Sequence, residues 1–181
     1  MEKVFKPKSD RDEAIMAELV QFTARSFGTP CPVPFGAAIV DSRSGGLLYR
    51  ARNSVMREND PSSHAELRTV RLAAKKLGKP SLAGYTLYST CEPCPMCMAN
   101  ALWAGLDRVV YGATIEDANR HCNQIHIPAE EVVRRSDMSC VIEGELLRDL
   151  CYGLFTDPRM LKAFAGWSTR KTNNDTRGKH D

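Results

Sequence analysis

Thr90-Cys91-Glu92-Pro93-Cys94-Pro95-Met96-Cys97-Met98-Ala99-Asn100 marks the junction of a predicted strand, Gly84 to Ser89, and a predicted helix, Cys94 to Gly105. Pro93 and Pro95 are tolerated at such a start because first-turn amides have no partner within the helix. Cys94 and Cys97 are three positions apart, so on a helix they share a face and can grip one metal ion. The third ligand is His64, in His64-Ala65-Glu66 at the start of an earlier predicted helix. His plus two Cys is a Zn2+ ligand set whose fourth position stays open to water.

Outward from this junction the chain alternates strands and helices. A helix starting at Ser9 or Asp10 buries Ala14, Ile15, Leu19 and Phe22 at a 3.6-residue period and ends near Gly28. Phe35 to Val40 reads as a buried central strand, Gly45-Gly46 turns it back, and Leu47 to Arg52 is its hairpin partner. A polar loop, Asn53 to Pro61, leads to a helix from His64 to Leu77 that Gly78 closes. Arg108 to Gly112 is the fourth strand and Ser139 to Ile142 the fifth. Short helices are expected from Glu116 and from Pro128, and terminal helices at Glu145 to Phe155 and Pro158 to Trp167. This rhythm predicts an α/β layer structure whose ligand clusters meet at helix N-termini along one sheet edge.

At 181 residues, 43% apolar and 26% charged, the chain fits one domain, residues 1–167, followed by a polar tail, 168–181, expected to be disordered. No stretch is long enough to span a bilayer, so a soluble, cytoplasmic protein without membrane partners is expected. Seven cysteines, an odd number with three clustered in one motif, point to metal ligation in a reducing compartment. Cys31, Cys122, Cys140 and Cys151 read as plain thiols, and His121, His126 and His180 as loop or tail histidines satisfied by solvent. A net charge of +3 is too mild to identify a nucleic-acid partner. The basic positions Arg68, Arg71, Lys75 and Lys79 read as a solvated helix face.

Glu66 is the expected proton carrier. It lies about 200° from His64 around a regular helix, and shares its side only where the first turn is irregular. A carboxylate beside the metal that is not a ligand can take a proton from activated water and hand it to substrate. The competing reading is a structural zinc or redox Cys-Pro-Met-Cys. Against it, no second Cys-x-x-Cys exists, and a redox pair needs no histidine.

His64-Ala65-Glu66 and Pro93-Cys94-Pro95-Met96-Cys97, thirty positions from histidine to first cysteine, resemble the cytidine deaminase-like zinc deaminases. Asn59-Asp60-Pro61, Cys91-Glu92 and Pro34-Phe35-Gly36-Ala37 are most similar to the guanine and guanosine deaminase branch. The resemblance implies a three-layer α/β/α sandwich around a five-stranded mixed sheet, commonly a homodimer. It implies a nucleobase or nucleoside substrate losing ammonia, with Asn53, the Ala65 amide and Phe35 contacting the base. Cys122-Asn123-Gln124-Ile125 replaces that branch's Gly-Phe-Asp-Asp block, so a second acid would have to be Asp117, Glu130 or Glu131. Val141 to Leu146 is closer to the tRNA adenosine deaminases, which keeps RNA as an alternative substrate. Cytosine is a further variant.

Overall fold

The computed structural model describes residues 9–175. The first helix, α1 (Asp10–Ala24), is capped by Ser9, whose hydroxyl accepts from the Asp12 amide, and passes into a 3-10 turn at Arg25–Gly28. Strands β1 (Gly36–Asp41) and β2 (Leu47–Arg52) form the expected hairpin. Then come α2 (Val55–Glu58), α3 (Ala65–Leu77), β3 (Tyr85–Cys91), α4 (Pro95–Trp103) and β4 (Arg108–Ala113). The chain continues through α5 (Ile115–Asn119), α6 (Ala129–Arg134), β5 (Val141–Glu143), α7 (Arg148–Thr156) and α8 (Pro158–Asp175).

The sheet runs β2-β1-β3-β4-β5, antiparallel across β2, β1 and β3 and parallel from β3 to β5. Side chains alternate between its faces, as the twofold period of a strand requires. Ala38, Val40, Tyr88 and Val110 join a core with α1, α7 and α8, while Ala37, Ile39, Leu87 and Val109 join a second core with α3, α4 and α6. This is the expected three-layer α/β/α sandwich. Two glycines set the spacing of the first face. A Cβ on Gly36 would lie 1.9 Å from Thr23 Oγ1, and one on Gly112 would lie 2.1 Å from Cys151 Sγ. α1 and α7 therefore press directly on the strands.

Element boundaries depart from expectation at a few places. β3 runs two residues further, to Cys91, bringing the strand up to the cysteine motif. The loop after β2 contains a helical turn, α2, ended by left-handed Asn59. α7 starts at Arg148 because Glu145 and Leu147 both take positive φ, which breaks helical continuation. α8 passes Trp167 and runs to Asp175, the last described residue. Of the expected tail, residues 176–181, including Arg177, Lys179 and His180, lie outside the described residues, as do residues 1–8. No helix among the described residues is long and apolar enough to cross a membrane.

Candidate metal centre and active site

His64 and Cys94 are not inside helices; each is the extended residue just before one. His64 caps α3 at φ −65°, ψ 153°, and Cys94 caps α4 at φ −64°, ψ 164°. The expectation that both begin their helices is thus off by one residue, and the reason is functional geometry. A capping residue aims its side chain across the helix end instead of along its flank. That is how ligands from two helices reach one point, with Cys97 following from the first turn of α4.

His64 Nδ1 is 3.6 Å from Cys94 Sγ and 3.6 Å from Cys97 Sγ, and the three donor atoms lie within 4.8 Å of one another. Zinc bonds of about 2.0 Å to nitrogen and 2.3 Å to sulfur at a tetrahedral angle require an N···S edge of about 3.5 Å, close to both observed separations. The donor set therefore fits zinc with one coordination position left over. Among the described residues no other His, Cys, Asp and Glu side chains form such a group. Cys91 stays outside it: its thiol is buried, donates to the Thr114 carbonyl at 3.7 Å, and burial holds its pKa well up.

The thiols are already polarised. Cys94 is lowered, chiefly because the Cys97 thiol donates to its sulfur and also because the His64 ring lies against it, while Cys97 as donor is pushed far up. Helix N-termini at both ligand positions favour the thiolate further. Glu66 is 4% exposed, and burial above all, then the charge of Cys94, raises its carboxyl to about 7. A carboxyl that exchanges its proton near neutrality suits proton transfer.

These groups open on a cavity of about 1420 Å³ whose wall includes His64, Glu66, Cys94, Asn53 and Phe35. Asn53 follows β2; its amide donates to the Phe35 carbonyl at 3.1 Å, and its Oδ1 accepts from the Val55 amide at 3.1 Å. The oxygen is thus committed to the turn, and the NH2 is what Asn53 presents. Phe35 is wedged edge-on against Phe155 with ring centroids 5.2 Å apart. Ala65 is fully buried between His64 and Glu66.

None of the three candidate second acids lines this cavity. Asp117 completes a capping box with Thr114 and accepts from Arg148 at 2.8 and 3.0 Å; that guanidinium lowers its pKa to about 2. Glu131 pairs with Arg134 and Arg135, and Glu130 is exposed. The carboxylate that does reach the wall is Glu92, which accepts from the Ile115 amide at 3.2 Å and the Ala129 amide at 2.9 Å. It ties the segment beyond β4 to the cysteine motif. Its place beside Pro93-Cys94 was visible in the sequence, but its partners, 23 and 37 residues on, were not.

Two surface assignments need correction. Arg68 does not belong to a solvated face: it donates to the Arg52 carbonyl and to Glu58, both at 2.7 Å, pinning the end of β2 to α3. His121 is not left to solvent, because its ring stacks on Phe164 at 5.5 Å and its Nε2 lies 3.2 Å from the Tyr152 hydroxyl.

Residues 9–113 match the family model of the cytidine and deoxycytidylate deaminase zinc-binding region. The chain belongs to this family. Within these zinc-binding deaminases, it is 44% identical over 85 residues to a guanine deaminase of Bacillus subtilis, a match covering 47% of this chain and 53% of that protein. The chain thus spans about half the length of that relative. It is 32% identical over 146 residues to a tRNA-specific adenosine deaminase of the same bacterium, covering 81% of this chain and 87% of that one. The fold matches a solved guanine deaminase from Nitrosomonas europaea at a TM-score of 0.72 and 23% identity, over 84% of this chain and 83% of the other.

Proposed function

We propose that this deaminase-family chain catalyses zinc-dependent hydrolytic deamination of an aminated purine, a guanine-like base or nucleoside first, with release of ammonia. The observation that carries the reading is the buried Glu66 carboxyl, which shares a cavity with His64 and Cys94 yet lies outside the ligand group. A structural zinc site or a redox pair has no use for such a group.

Zinc, held by His64, Cys94 and Cys97, would supply a water acidic enough to ionise near neutrality. The protein's own part is proton traffic. Glu66 takes the first proton of the attacking water and delivers it to the ring nitrogen beside the amino-bearing carbon. It then carries the second to the departing amine, so oxygen stays on the ring as a carbonyl and ammonia leaves. The Asn53 NH2 and the Ala65 amide donate to the base, and Phe35 packs against its ring.

A second reading, adenosine deamination within tRNA, is supported by a tRNA-specific adenosine deaminase whose match covers 81% of the chain. Two wider features belong to the proposal. Met96 and Trp103, seven positions apart on one side of α4, expose 36% and 78% of their surface, a face suited to a homodimer contact. Seven free thiols suit the cytoplasm.

The test is ammonia release from guanine, guanosine, adenine, adenosine, cytosine and a tRNA anticodon stem-loop, with zinc content measured in parallel. Turnover of guanine or guanosine is expected. Turnover confined to the stem-loop would transfer the site to the second reading, and zinc-replete protein inert on every substrate would overturn both.

A further inference from the structure

The cavity is larger than a base needs. At about 1420 Å³ it exceeds the roughly 300–1,000 Å³ that encloses a drug-sized molecule. Away from the metal ligands its wall is basic, with Arg50 and Arg52 of β2, Arg57 of α2, and Arg159 and Lys162 of α8.

Most of these cations already have carboxylate partners. Arg50 meets Glu18 at 2.9 Å and Arg159 meets Asp157 at 2.7 Å. Arg57 donates through Nε to Ser54 Oγ and lies 3.7 Å from Glu58. Arg52 differs. It is partly buried, and among the described residues its guanidinium meets no carboxylate; the charges that act on it are those of Arg57, Arg25 and Arg50. Burial first, then those three like charges, lower its pKa. Its position is nevertheless fixed. The guanidinium lies over the Phe22 ring, 4.8 Å from the centroid, and its carbonyl is held by Arg68 at 2.7 Å. Lys162 is exposed and likewise has no carboxylate partner among the described residues.

A half-buried cation among like charges is costly unless an anion joins it. The acids on the same wall are not available: Glu66 belongs to the metal end, and Glu92 is engaged by two backbone amides. Guanidinium groups match phosphate in shape and bind it through paired hydrogen bonds.

We propose that Arg52, with Arg57 beside it and Lys162 on the wall of the same cavity, forms a phosphate subsite, so that an aminated base carrying a ribose phosphate binds more tightly than the bare base or nucleoside. This inference rests on the deaminase reading of the metal end. The phosphate ester is the shared chemistry, whether it comes from a mononucleotide or from an RNA strand. The basic determinant lies on the hairpin, the α2 turn and α8, not on the helix carrying Arg71, Lys75 and Lys79.

The test is calorimetric binding to the zinc-loaded full chain carrying Glu66→Gln, which prevents turnover. The probes are guanosine, guanosine 5′-monophosphate, inorganic phosphate and a short single-stranded RNA. The monophosphate, the RNA or both should bind about tenfold or more tightly than guanosine, and inorganic phosphate should compete with that gain. Arg52→Gln should bring the ratio close to one, Arg52→Lys should keep part of it, and Lys162→Gln should lower it. Gain with the mononucleotide assigns the phosphate to a free nucleotide; gain with RNA alone assigns it to a strand. Equal binding of phosphorylated and unphosphorylated probes, or a gain that survives both glutamine variants, would overturn the subsite. Ammonia release from guanosine without a phosphate gain removes only the subsite, whereas Arg52-dependent phosphate binding by a chain that deaminates nothing removes only the enzymatic reading.

Discussion

The proposed metal ligands, His64, Cys94 and Cys97, arrive from two helix ends, and each can be tested by a distinct removal. Cys97→Ser removes one soft donor from a fully buried position; zinc measured by atomic absorption should fall well below one per chain. Glu92→Ala should leave zinc in place but free the Ile115 and Ala129 amides, and slow turnover with a lower melting temperature is the expected pair of readouts. Asp117 gives a pH test. Arg148 holds its folded pKa near 2, below the usual carboxylate value. The stability it contributes is therefore complete above about pH 4 and fades as pH falls toward 2. Asp117→Ala should lower the melting temperature at pH 7, with the deficit shrinking across that interval. At this scale the sequence was most legible where chemistry dictates spacing. His64, Cys94, Cys97 and Glu66 were named from residue type and position alone. Arg52 was not, because what marks it is the lack of a carboxylate partner, and partners are set by packing between segments distant in sequence.

The elements were legible because their apolar periods are strong. β1 is buried along almost its whole length, and α3 ends at Gly78 in the left-handed conformation its position called for. What the pattern could not show was the one-residue offset at the starts of α3 and α4, since a capping residue and a first helical residue look alike in sequence. It also could not show α2, too short to display a period, or the positive φ of Glu145 and Leu147, neither of which is a glycine. Close approach of helix to sheet yields a test of packing. Gly36→Ala places a methyl against Thr23 Oγ1 and should destabilise the chain by about 1–3 kcal/mol in chemical denaturation. Adding Thr23→Ala removes the hydroxyl and Cγ2 contacts, so the double variant should lose less than the two single effects combined. Losses that simply add would show that this contact does not set the spacing.

Across the whole molecule, two cores fix the sheet between helical layers, and the cavity opens where the β2 end, the starts of α3 and α4, and α8 converge. A polar cluster joins α1 to the far strands: Arg108 of β4 donates to Asp12 at 2.9 Å and pairs with Glu143 of β5, while Tyr88 of β3 donates to Asp12. Those partners are up to 96 residues apart, which is why sequence patterns gave the layers but not the polar cluster that ties them together. The proposed function rests on one claim above all: that the buried Glu66 beside the proposed ligands makes a zinc site hydrolytic. The most direct measurement compares wild type with Glu66→Gln, reading zinc content and ammonia release on the same samples. Both proteins should carry about one zinc, and the variant should be slower by about a hundredfold or more. A variant that keeps its zinc and its turnover would contradict the account.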